Sequence, residues 1–75
     1  MSQRKAVAEA MLEKLENWLG RGARMLKLLE ILTVKVDLIS NPTVKQTALE
    51  DIAEIRKIIR DGQSAINWVI KALNL

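Results

Sequence analysis

Ser40-Asn41-Pro42-Thr43 separates two long segments in which apolar residues recur every three or four positions. Pro42 disfavours helical backbone at Asn41, so a helix arriving from the N-terminal side must stop here. The same residues can start the next helix in two ways. Asn41 can cap it with Pro42 as the first helical residue, where the missing N–H costs nothing. Alternatively, Thr43 caps and Gln46 reaches back to it, as in a capping box. Both options give one all-α domain over residues 1–75, an antiparallel helical hairpin. Its parts are a helix over about 2–39, a turn at 40–43 and a helix over about 43–74.

Outward from the turn, the first segment carries Ala8, Met11, Leu15, Trp18, Gly22, Met25, Leu29, Leu32, Val36 and Ile39 at alternating spacings of three and four. This is a heptad pattern, and Ser2 is placed to cap its start. Gly20-Arg21-Gly22 is the weak point, because each glycine costs about 1 kcal/mol in a helix interior. The helix either breaks there, giving a three-helix bundle, or runs through with a kink. The unbroken heptad phase favours the continuous or kinked helix. The second segment repeats the pattern with Ala48, Ile52, Ile55, Ile59, Gly62, Ile66, Val69 and Leu73. Folding the chain at the turn then sets Gly22 opposite Gly62. That pair admits a close approach of the backbones or a kink.

A two-stripe seam does not consume the apolar residues available. Leu12, Leu19 and Leu26 lie beside the first stripe, and Ile31, Val34 and Leu38 lie on the opposite face. Ile58, Trp68 and Leu75 lie off the second stripe. Apolar surface of this extent marks an interface, so these nine residues are the expected subunit contacts and further copies of the chain, packed on more than one side, are the expected partners; the alternative is a three-helix bundle that hides part of the excess.

Composition narrows the chemistry. The chain has no Cys and no His, which removes the disulfide, the commonest metal ligand and the commonest general base. No enzymatic activity, cofactor, metal or small-molecule substrate is expected. Glu9, Glu13 and Glu16 interrupt any secretory leader after Arg4-Lys5. The greasiest run, Met25 to Ile39, contains Lys27, Glu30, Lys35 and Asp37 and is shorter than the ~20 apolar residues of a membrane span, so no transmembrane segment is expected.

The net charge is +3. Arg21, Arg24 and Lys27 occupy an acid-free stretch, and the hairpin sets them level with Arg56, Lys57 and Arg60. Arg4 and Lys5 form a second basic spot. Clustered cations of this kind can neutralise phosphates without reading sequence, so these eight residues are the candidate contacts to double-stranded DNA. The alternatives are a solvated face, or pairing with the acidic ends of neighbouring copies.

A hairpin of this length, turned at Asn41-Pro42, basic in its middle and free of Cys, resembles the major coat protein of small rod- or bacillus-shaped archaeal viruses. That resemblance implies kinked helical hairpins packed around DNA, and localisation in a virion. Arg60-Asp61-Gly62-Gln63-Ser64 followed by Val69-Ile70-Lys71, together with the proline-containing turn, is similar to the type III secretion needle proteins. That family implies a filament without nucleic acid. The strongly apolar first helix departs from the needle pattern. The leading expectation is therefore a structural subunit of a helical assembly, a viral capsid protein packing DNA. The alternatives are a needle subunit and a small dimeric four-helix nucleic-acid-binding module.

Overall fold

The computed structural model describes residues 2–73, with Ser2 described by its backbone alone. The chain forms two α-helices, α1 (Ser2–Val36) and α2 (Pro42–Leu73), packed antiparallel as a hairpin 61 Å long and 15 × 12 Å across. α1 runs without interruption through Gly20-Arg21-Gly22, and no glycine among the described residues adopts positive φ. The propensity cost of the two glycines is thus carried inside a continuous helix. The side chain of Ser2, the expected cap, and the whole of Leu75 lie outside the described residues.

The turn realises the first of the two capping options. Asn41 Oδ1 accepts hydrogen bonds from the backbone N–H of Thr43 at 3.0 Å and of Val44 at 3.2 Å. The Lys45 N–H donates to the Asn41 carbonyl at 3.0 Å, closing the first helical turn behind Pro42. Gln46 does not reach back; its Nε2 donates to Glu50 Oε1 at 3.1 Å along the helix. α1 ends at Val36, earlier than the expected Ile39. Its exit tightens through bonds from Leu38 N–H to the Lys35 carbonyl and from Ile39 N–H to the Val36 carbonyl. The early exit turns Ile39 back onto the hairpin, where it packs against the cluster of Leu29, Val36 and Ile52. A helix continued to Ile39 would place that side chain in phase with the exposed Met25 and Leu32. Lys45 Nζ meets Asp37 Oδ1 at 3.3 Å across the turn.

The seam is rotated by one residue from the expected stripes. On α1 the covered positions are Ala8, Leu12, Leu15, Leu19, Gly22, Leu26, Leu29, Thr33 and Val36. Leu12, Leu19 and Leu26, expected at a subunit interface, are used within the hairpin. Met11, Trp18, Met25 and Leu32, expected in the seam, are exposed. α2 turns the same way: Leu49, Ile52, Arg56, Ile59, Gln63, Ile66, Ile70 and Leu73 line the seam, while Ile55 and Val69 are exposed. Every seventh residue of α1 belongs to both stripes, and its companion could be either neighbour of an apolar pair such as Met11-Leu12, Trp18-Leu19 or Met25-Leu26. Apolar periodicity alone cannot choose between them.

The glycine layer changes accordingly. A Cβ on Gly22 would lie 3.1 Å from Gln63 Nε2 and 3.3 Å from its Cγ, whereas one on Gly62 would meet nothing within 4 Å. Gly22 therefore makes room for a glutamine, and the expected Gly22–Gly62 pairing does not form. Thr33, the polar member of the α1 seam, satisfies its hydroxyl by donating to the Leu29 carbonyl at 2.8 Å. The core itself is thin. Leu29, Val36 and Ile52 retain 5–8% of their exposure, and all three lie near the turn. At the open end, Val7, Ala8, Met11 and Leu73 line a groove where the helices no longer close on one another.

Candidate assembly surfaces

The rotation of both helices in the same sense decides what the hairpin shows to its surroundings. In an antiparallel pair, the residues just before each α1 seam leucine and just before each of Leu49, Arg56, Gln63 and Ile70 lie on one side of the seam. Those positions are Met11, Trp18, Met25 and Leu32 on α1 and Ala48, Ile55, Gly62 and Val69 on α2. Leu28 and Ile58 lie one step further out on the same side, Ile58 at 63% exposure. The hairpin therefore has one broad apolar face. Between the heights of Trp18 and Met25 that face drops to Gly62, leaving a notch in the α2 ridge.

The opposite face is polar. By helical phase it carries Glu9, Glu13, Glu16 and Glu30 of α1 and Glu50, Arg60 and Lys71 of α2, all exposed. A helix pair with one apolar and one charged face is the pattern of an element that must be covered on one side. Trp18 is 58% exposed on the apolar face, and the Arg21 guanidinium lies over its ring at 5.4 Å from the centroid. That stacking is worth about 0.5–1 kcal/mol at an exposed site, and it holds the indole against the helix.

A second set of exposed apolar residues lies off this face. Ile31 and Val34 point outward from α1 near the turn, and Leu38 stands in the turn at 83% exposure. Trp68, 76% exposed, points outward from α2 toward the other end of the hairpin. Of the nine expected subunit contacts, Ile31, Val34, Leu38, Ile58 and Trp68 are thus available. Leu12, Leu19 and Leu26 are taken up by the seam, and Leu75 is outside the described residues.

The basic residues do not make one patch. Arg21 and Arg24 lie along the outer edge of α1. Lys27, Lys57 and Arg60 lie level with one another on the polar face, all exposed. Arg56 is half-buried in the seam. Arg4 and Lys5 are exposed at the open end, roughly 25 Å along α1 from Arg21 at ~1.5 Å per residue. Among the described residues, the ion pair within 4.0 Å is Lys45–Asp37, so none of the eight candidate DNA contacts is neutralised by an acid of its own chain at that distance.

Among the described residues no group of three His, Cys, Asp or Glu side chains could hold a metal ion, and no helix is long and apolar enough to cross a membrane. No family model, no curated protein and no solved structure matches this chain.

Proposed function

We propose that this chain is a structural subunit that acts by assembling with copies of itself. One observation carries the reading: a hairpin with three buried side chains among the described residues exposes large apolar residues on a continuous face and on two outer edges. Removing such surface from water is worth about 25 cal/mol per Å², and a chain of this size with so thin a core gains stability by oligomerising.

The two outer edges favour an extended assembly over a closed one. Ile31, Val34 and Leu38 lie on the α1 edge near the turn, and Trp68 lies on the α2 edge at a different height. Contact between them is heterologous, and a heterologous contact that does not close propagates as a filament. The specific form we propose is a coat subunit enclosing double-stranded DNA. In it Lys27, Lys57 and Arg60 on the polar face, with Arg4 and Lys5 at the open end, would meet phosphates. A secretion-needle subunit would share the filament and lack the DNA contact. A dimeric four-helix DNA-binding module would share the DNA contact and stop at the dimer.

Negative-stain imaging and light scattering of purified protein, with and without duplex DNA, separate these readings. The coat reading expects filaments or large particles that retain DNA, with retention falling steeply as salt rises. Filaments indifferent to DNA would replace it with the needle reading. A dimer that never grows would remove the multi-copy assembly.

A further inference from the structure

The apolar face is bordered by two edges of opposite charge. Along the outer side of α1 the border carries Lys14, Arg21, Arg24 and Lys35 and no acid; along the outer side of α2 it carries Asp51, Glu54 and Asp61 and no cation. None of these seven residues forms an ion pair within the described chain at 4.0 Å or less. The pattern is self-complementary in one geometry. When two copies meet face to face about a two-fold axis along the hairpin, α1 of each lies on α2 of the other, antiparallel, and each basic border meets an acidic one. When the axis instead runs across the hairpin, α1 lies on α1 and α2 on α2. Cations then face cations and acids face acids, which costs rather than gains energy.

The heights agree with the first geometry. Gly22 and Gln63 stand level in the seam. By that register Arg24 is level with Asp61, and Lys35 is within one residue of Asp51. In the two-fold pair these become contacts between copies. The face, about 15 Å wide along a 61 Å hairpin, offers a footprint of roughly 900 Å² per copy, comparable to the ~800 Å² per partner of stable complexes.

We infer that the occupant of the apolar face is a second copy of this chain, forming a four-helix bundle with both turns at the same end. Its borders are set by Arg24–Asp61 and Lys35–Asp51 pairs between copies. The inference rests on the reading of the chain as a self-assembling subunit and adds the partner's orientation.

The test uses a spin label on Ser40→Cys. This site is exposed in the turn, and the chain has no other cysteine. In the smallest self-associated species the label-to-label distance should fall within about 25 Å, since neighbouring helices of a bundle pack about 10 Å apart. A distance near the 61 Å length of the hairpin would overturn the orientation while leaving self-assembly standing. Reversing one border, with Arg21→Glu, Arg24→Glu and Lys35→Glu, should weaken self-association at least about tenfold. Adding Asp51→Lys, Glu54→Lys and Asp61→Lys should restore it. Association unaffected by the single-border reversal would overturn the inference. A chain that stays monomeric in solution and binds phosphatidylcholine vesicles would assign the face to lipid and would overturn both this inference and the assembly reading. A dimer with close labels that never grows would support the inference and remove the extended assembly.

Discussion

Asn41 starts α2 with one side-chain oxygen that accepts two backbone N–H groups. Asn41→Ala leaves both donors without that partner and should cost about 1 kcal/mol in chemical denaturation. The glycines offer a contrast at the same scale. A Cβ on Gly20 meets nothing within 4 Å, so Gly20→Ala should stabilise the hairpin by about 0.5–1 kcal/mol through helix propensity alone. Gly22→Ala has the same propensity gain but pushes on Gln63, whose Cγ and Nε2 would lie 3.3 and 3.1 Å away. Its gain should be smaller than that of Gly20→Ala, and Gln63→Ala in the same chain should recover the difference. Equal gains from both single substitutions would contradict the packing of Gln63 over Gly22.

The helices themselves were legible in the sequence, and their rotation was not. Asn41 and Pro42 carry cap and stop chemistry that acts locally, so the hairpin and the start of α2 follow from the residues alone. The continuity of α1 through Gly20 and Gly22 also follows, from an unbroken heptad phase. The seam could not be chosen, because Met11-Leu12, Trp18-Leu19 and Met25-Leu26 each offer two apolar companions to the same heptad residue. Choosing apolar residues on α2 put Ile55 and Val69 inward, whereas the fold accepts Arg56 and Gln63 in the seam and turns those two outward. Long polar side chains can reach solvent from a narrow two-helix seam, and Gly22 makes space for one of them. That rotation reassigned Leu12, Leu19 and Leu26 from interface to seam. It also divided the six central cations among the α1 edge, the polar face and, for Arg56, the seam itself, a division visible in the sequence only once the seam is known. The Lys45–Asp37 pair across the turn is 35% and 68% exposed at its two side chains. Asp37→Ala should therefore change stability by no more than about 0.5 kcal/mol, read from the urea midpoint.

At the scale of the whole molecule, a 61 Å hairpin has the three buried side chains among its described residues near one end and a continuous apolar face along its length. On the proposed reading, a second copy of the chain covers that face. DNA contact, if the coat form holds, is a property of the opposite face: Lys27→Ala, Lys57→Ala and Arg60→Ala together should lower the slope of log affinity against log salt by about 2.7, at ~0.9 per phosphate contact. If the apolar face is an interface between copies, as proposed, thermal unfolding against protein concentration reports it, with Met25→Glu/Ile55→Glu as the control. Linkage makes Tm rise with concentration for a chain stabilised by its own copies. The wild-type Tm should climb over a hundredfold concentration range, and the variant should be monomeric with a lower, flat Tm. A wild-type chain that stays monomeric, with a Tm independent of concentration and unchanged by the two glutamates, would contradict the proposed interface.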